Sequence, residues 1–208
     1  MAVIVFDYDG VIVDTFALES EYYIDIYKRH GIELFQTGED LRNACRGNFY
    51  EFCEEHSLRT EVLDEIIREY NAFLRENHIE VPLFAGIAEL IRCMQERHTL
   101  YVVSLNDAEV IEKRLSAEGL VDFREIIGWK QATSKYETLL RLKEQYGDAC
   151  YFISDSTGDM QEAVAAAFPH ILAVSYGWGK GEELLEHGAH KLFDSVEALR
   201  CYLEEELG

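Results

Sequence analysis

Four aspartates, a serine and a lysine carry the chemistry this sequence offers, each standing beside a short apolar or helix-forming run. Asp7 and Asp9 lie in Asp7-Tyr8-Asp9-Gly10, directly after the apolar residues 2–6. Ser104 follows the run 100–103, with Asn106 and Asp107 just beyond. Asp155 and Asp159 bound Asp155-Ser-Thr-Gly-Asp159, after the run 149–153. Lys135 is the second residue of Ser134-Lys-Tyr-Glu137, a capping-box pattern that opens a helix. Asp7 and Asp9 are two apart, so in extended chain they share a face. Gly10 permits a tight turn that swings backbone N–H groups toward an anion. Four carboxylates in one crevice are costly unless positive charge offsets them, and a divalent cation held by oxygen ligands is the natural offset. Taken singly, each residue has a plainer explanation. Asp-x-Asp-Gly can be an Asx turn, Asp159 a helix N-cap, Ser104 a strand end, and Lys135 a solvated helix residue. Their weight comes from occurring together, in chain order, beyond the carboxyl ends of strand-like runs, where open parallel sheets bind ligands.

These side chains meet only if the runs before them lie side by side. Residues 2–6, 100–103, 149–153 and 171–174, with a weaker run at 125–128, are continuous β-branched and aromatic stretches rather than alternating ones. That pattern predicts strands buried on both faces of a parallel sheet. Helical segments at 87–97, 108–118, 134–146 and 159–167 have the length of right-handed crossovers, and 195–207 reads as a closing helix. From about 16 to about 77 the alternation stops. Amphipathic pattern at 16–30, 40–55 and 60–77 predicts helices only, with Gly31 ending the first and Thr37-Gly-Glu-Asp turning into the second. The expected architecture is an α/β sheet domain carrying a helical insertion.

Composition narrows the partners. The chain has 208 residues and a formal charge of −21, from 40 acidic against 19 basic side chains. That balance repels polyphosphate backbones and argues against nucleic acid, yet leaves room for a small anion in a locally positive pocket. Hydrophobic residues at 48% exclude a disordered chain despite the charge. No apolar run reaches the ~18–20 residues that cross a bilayer, and residues 1–7 lack the basic and small-residue marks of a secretory signal. Five cysteines without a C-x-x-C pair fit reduced thiols, so a cytoplasmic setting with no membrane partner is expected.

The stretch Phe6-Asp-Tyr-Asp-Gly-Val-Ile-Val-Asp-Thr15 resembles the first signature of the haloacid dehalogenase-like hydrolase superfamily. Ser104, Lys135, and Asp155 with Asp159 fall where its second, third and fourth motifs would lie. Pro82-Leu-Phe-Ala-Gly86, Gly119-Leu-Val-Asp-Phe123, Gly177-Trp-Gly179 and Gly188-Ala-His190 resemble landmarks of the phosphoglycolate phosphatase and β-phosphoglucomutase branch. The resemblance implies a doubly wound, Rossmann-like α/β core over 1–15 and 82–208 with a helical cap over 16–81. It implies a Mg2+-dependent phosphatase acting on a small phosphorylated metabolite through an aspartyl-phosphate. Asp7 is then the nucleophile, and Asp9 the acid toward the leaving oxygen and later the base toward water. Mg2+ is expected on the Asp7 carboxylate, the Asp9 backbone carbonyl and Asp155, with Asp159 as ligand or support. Ser104, Lys135 and the backbone N–H groups of Tyr8, Asp9 and Gly10 are expected to hold the phosphate. From the cap, Arg46 is the candidate for a second anionic group on the substrate, against a plainer role, with Arg42, in pairing with Glu39 or Glu51 on a solvated helix. Tyr22, Tyr23 and Tyr27 are expected to pack helices.

The sequence departs from that pattern in places. Ser154 stands where glycine is usual, Leu105 separates Ser104 from Asn106, no proline follows Lys135, and Val11 replaces a common threonine. Lys130 is a lesser rival to Lys135. Other readings stay open at this point: a sugar-phosphate mutase, or a non-catalytic protein that binds a phosphorylated ligand. Dehalogenation would leave Asp9 without purpose. Phosphonate hydrolysis would need a cap lysine, and Lys28 is the only one between residues 16 and 81.

Overall fold

Val3–Phe6 forms β1, with every side chain buried. The strand alternates between two cores: Ile4 and Phe6 join one and Val3 and Val5 the other. A continuous apolar run therefore serves a sheet covered on both faces. In the computed structural model, which describes residues 1–44, 60–77, 81–128 and 134–208, the chain continues through α1 (Phe16–Arg29), α2 (Gly38–Ala44) and α3 (Thr60–Asn77). It returns as α4 (Ile87–Gln95), β2 (Thr99–Val103), α5 (Ala108–Ala117) and β3 (Glu125–Ile127). Then follow α6 (Lys135–Tyr146), β4 (Cys150–Ser154), α7 (Thr157–Ala165) and β5 (His170–Val174). The last elements are α8 (Gly181–Glu186), β6 (Lys191–Phe193) and α9 (Val196–Leu207).

The strands form one parallel sheet in the order β3-β2-β1-β4-β5-β6. Strand order reverses between β1 and β4, the place where a doubly wound sheet opens a crevice. One core packs Ile87, Leu90 and Ile91 of α4 with Leu199 and Leu203 of α9. The other packs Leu139 and Leu142 of α6 with Met160 and Ala163 of α7. Each of the leucine, isoleucine and methionine side chains among them contributes roughly 1.5–3 kcal/mol by burial. These two layers hold the carboxyl ends of β1 and β4 in fixed register.

Helices α1 to α3 form a cap with its own small core of Ile24, Tyr27, Phe35, Leu41 and Ile66. The tyrosines of α1 serve it: Tyr22 stacks on Phe73 at 4.4 Å between centroids and Tyr23 lies 5.2 Å from Tyr70. The expected helix over 40–55 is seen as α2, and its remainder lies outside the described residues. The two chain crossings to the cap are tied to each other. Asp14 N–H donates to Pro82 O at 2.8 Å and Phe84 N–H to Ile12 O at 3.1 Å. No helix among the described residues is long and apolar enough to cross a membrane, and Cys93, Cys150 and Cys201 are free thiols.

Two elements escape the sequence pattern. β6 is three residues at a sheet edge with Lys191 exposed, and α8 is a short acidic turn of helix. Helix α7 starts two residues ahead of expectation because Ser156 caps it, its Oγ accepting from Asp159 N–H at 3.2 Å. Asp159 is thus not the cap, and its carboxylate is released for other partners.

Candidate active site

The turn after β1 is closed by backbone bonds: Ile12 N–H donates to Tyr8 O, and Gly10 N–H to Val13 O, both at 2.9 Å. Tyr8 N–H donates to Asp7 Oδ1 at 2.7 Å. Of the three N–H groups expected to face a phosphate, those of Tyr8 and Gly10 are therefore engaged within the protein, leaving that of Asp9. What Gly10 supplies is room. Its φ is +73°, and a Cβ there would sit 1.9 Å from Asp155 Oδ2. Gly177 does the same from the loop after β5, where a Cβ would fall 2.2 Å from Gly10 O.

Asp7, Asp155 and Asp159 are buried together, with Asp9 half-buried beside them. Burial raises the Asp7 carboxyl well above the ordinary range against the pull of Lys135, and Asp159, Asp155 and Asp9 push the same way. Burial likewise pushes Asp155 up to about 7, with Trp178 N–H on its Oδ2 opposing. Asp9 is pushed up to about 6 by burial, with Lys135 and hydrogen bonds from Thr15, Ser104 and Asn106 opposing. A carboxyl poised near 6 exchanges protons readily near neutral pH.

Lys135, one residue inside the Ser134-capped α6, turns inward instead of into solvent. Its Nζ lies 2.9 Å from Asp7 Oδ1 and 2.7 Å from Asp159 Oδ2. Burial alone would discharge it, but the Asp159 and Asp7 carboxylates hold the ammonium above the usual lysine range. Ser104 Oγ accepts from Asn106 N–H at 3.0 Å and reaches Asp9 Oδ2 at 3.5 Å. Asn106 Nδ2 donates to that same Asp9 oxygen at 2.7 Å, while Leu105 between them turns outward with 46% of its surface exposed. The inserted leucine thus leaves both polar residues on the site. Asp9 Oδ1 is buried without a partner among the described residues.

Sequence reasoning gave no role to several residues that shape this site. Asn106 holds Asp9, and Ser154 touches both Asp7 and Asp159. Glu19 of α1, its carboxyl raised well above the ordinary range by burial, accepts from the Thr15 hydroxyl at 2.9 Å. A cavity of about 440 Å³ borders Asp9 and Asn106 and is walled by Leu74 and Arg75 of the cap and Val110 of α5. Its size suits a small organic ligand.

The cap is fastened to the core on two sides. Asn71 Oδ1 accepts from Asp107 N–H at 2.7 Å, and Arg75 forms a short ion pair with Asp107. Across the crevice, Arg42 donates to Gly177 O at 3.2 Å with its guanidinium 3.9 Å above the Phe16 ring. Lys180 donates to Asn43 Oδ1 at 2.6 Å and pairs with Glu39 at 3.1 Å. The expected Arg42–Glu39 contact is the longer one, at 3.8 Å. Arg46, Glu51 and Lys130 lie outside the described residues. Arg42→Ala should loosen this fastening and lower kcat/KM by roughly three- to tenfold, the scale of a charged hydrogen bond plus a cation–π contact. Steady-state kinetics beside thermal melts checks it; an unchanged kcat/KM would show that the contact plays no part in closing the site.

A family model described as haloacid dehalogenase-like hydrolase matches residues 4–173. Among solved structures, one called a predicted phosphatase from Clostridium acetobutylicum superposes with a TM-score of 0.82 at 20% identity, covering 98% of both chains. A predicted phosphoglycolate phosphatase from Haemophilus somnus gives 0.71 at 18% identity, covering 100% of this chain and 98% of that one. CbbY from Rhodobacter sphaeroides, in complex with xylulose 1,5-bisphosphate, gives 0.69 at 19% identity, over 94% and 95% of the two chains. No curated protein sequence matches the chain.

Proposed function

Because the chain belongs to the haloacid dehalogenase-like hydrolases, we infer that it is a Mg2+-dependent phosphatase whose Asp7 takes a phosphoryl group from a small metabolite and yields it to water. The observation that carries this is the pairing at the turn after β1. Asp7 is a carboxylate held at Oδ1 by Lys135 and Tyr8 N–H, and two residues on stands Asp9, a carboxyl near 6 whose Oδ1 has no partner among the described residues. A nucleophile beside an acid is what a two-step phosphoryl transfer needs.

In this reading Asp7 oxygen forms a bond to phosphorus as the bond to the leaving oxygen breaks, and Asp9 gives that oxygen its proton. Asp9, now ionised, takes a proton from the water that attacks the aspartyl-phosphate. Asn106 keeps the Asp9 carboxyl oriented through both steps. Lys135 and Ser104 offset the charge spread over the phosphoryl oxygens. The cavity beside Asp9 receives the leaving group, and the cap excludes bulk water from the intermediate.

The donor set fits Mg2+. Among the described residues no group of three or more His, Cys, Asp or Glu side chains forms a ready metal cage. Mg2+ needs none, since it is commonly bound by one or two carboxylates while keeping waters and substrate oxygens. Asp7 and Asp155, with the Asp9 carbonyl, would hold it. When bound, the ion supplies positive charge to the carboxylates and to the transferring phosphoryl oxygens. Asp159, already paired with Lys135 at 2.7 Å, supports rather than ligates. Asp155→Ala should therefore weaken Mg2+ binding about tenfold or more, and Asp159→Ala less. Isothermal titration of both variants decides, and the reverse order would exchange their roles.

Hydrolysis of an aryl phosphate with and without Mg2+ tests the proposed activity. Release of phosphate only with the metal is expected. No turnover of the aryl ester or of a panel of phosphorylated metabolites would favour a protein that binds without catalysis.

A further inference from the structure

We propose that the cavity of about 440 Å³ between α3 of the cap and α5 of the core selects phosphate monoesters whose alcohol is apolar and uncharged, and disfavours those carrying a second anionic group. The proposal rests on the reading that the leaving group lies in this cavity, and it names that group's chemistry.

The wall is apolar where it is deep. Tyr8, Tyr70, Leu74 and Val81 are buried, and with Val110 and Ala117 of α5 they line the space that borders Asp9 and Asn106. Tyr70 and Leu74 stand one turn apart on α3 and so share a face. Val110, Arg114 and Ala117 repeat at the matching spacing on α5. Two helices and the turn after β1 thus close the space mainly with carbon. A volume of this size takes a ring with a short side chain.

The cations that border the cavity among the described residues are Arg75, Lys113 and Arg114, and each is engaged elsewhere. Arg75 is ion-paired with Asp107. Arg114 donates from Nε to Val81 O at 2.7 Å and pairs with Glu118 at 2.8 Å. Lys113 is exposed, stands one turn from Glu109 on α5, and is itself engaged. A cation paired in this way offers little net charge to a ligand anion, and an exposed one is screened by solvent. A carboxylate or second phosphate on the alcohol would lose its hydration against this wall with no partner to replace it. The formal charge of −21 on the whole chain opposes it as well. An apolar alcohol loses no such hydration and gains by leaving water.

Isothermal titration with Mg2+ present tests this with two probes that cannot be hydrolysed, 3-phenylpropylphosphonate and 3-phosphonopropionate. Both carry the same phosphonate, so that end cancels and the ratio of their affinities reports the cavity. The apolar probe should bind about tenfold more tightly or better. Leu74→Ala and Val110→Asn should each cut that ratio to about threefold or less, since one or two methylenes in an apolar pocket can weigh this much. Either variant serves should the other fold poorly. Equal affinities, or tighter binding of 3-phosphonopropionate, overturn the proposal and return the second anionic group to a cation such as Arg46. A ratio that both variants leave unchanged, or an apolar probe that does not bind, overturns it too. Turnover of the aryl phosphate reports the activity separately. The preference without turnover removes the phosphatase reading and leaves the cavity's selectivity standing, whereas turnover without the preference removes this proposal alone.

Discussion

Replacing Asp7 with asparagine should lower kcat roughly 10³-fold or more while the melting temperature stays within a few degrees of wild type. Loss of a covalent nucleophile is among the largest effects a single substitution has on an enzyme. The amide keeps the shape and can still accept the Tyr8 N–H bond, which is 2.7 Å long in the native protein. It offers no anionic oxygen to phosphorus. Lys135 remains paired with Asp159, so no buried ammonium is left alone and the fold has no reason to suffer. Steady-state kinetics and thermal melts together check it. Retention of a tenth of wild-type kcat, which is only about 1.4 kcal/mol in barrier, would contradict the covalent route.

Withdrawing Mg2+ with a chelator should abolish turnover, and the same ion should stabilise the fold more at pH 7.5 than at pH 5.5. Asp155 is pushed up to about 7 and Asp9 to about 6, against about 4 in an unfolded chain. Between those values the folded protein holds protons that the unfolded chain has released. Without metal, these groups therefore add stability at low pH that is lost as pH rises through about 6–7. A cation prefers the ionised carboxylates, so its benefit grows over the same interval. A difference of several degrees in the Mg2+-induced shift of Tm is expected for a chain of this length. Equal shifts at the two pH values, or none, would count against the Asp155 carboxylate as a ligand of the metal.

Much of this was legible in the sequence because burial on both faces writes itself into continuous apolar runs. Residues 2–6 and 149–153 read as buried strands of one parallel sheet, and the structure makes them neighbours, pairing Val3 with Cys150 through Phe6 with Ile153. The Ser134 capping box located Lys135 at a helix start, though not the inward turn of its side chain, which Asp7 and Asp159 impose. The family resemblance is borne out by the match over residues 4–173. Contacts made at long range carry no local pattern. Arg42 meets Gly177 O across 135 positions of sequence, so its periodicity revealed only the neighbour Glu39. Trp178 read as a landmark, yet its N–H caps Asp155 and its ring meets Phe16 edge-on at 4.9 Å. Ser154 was visible as a departure from a family pattern, but that its hydroxyl bridges two carboxylates depends on where three other elements end.

The most direct test of the account is to trap the intermediate. Enzyme mixed with Mg2+ and an aryl phosphate in a rapid acid quench, reduced with borohydride and digested, reports which side chain carried the phosphoryl group. An acyl phosphate on Asp7 is converted to homoserine at that position. Homoserine at residue 7, growing in at the rate of aryl alcohol release and absent from Asp7→Asn, is the predicted result. Turnover at full rate with residue 7 recovered only as aspartate, or reduction at another carboxylate, would contradict it.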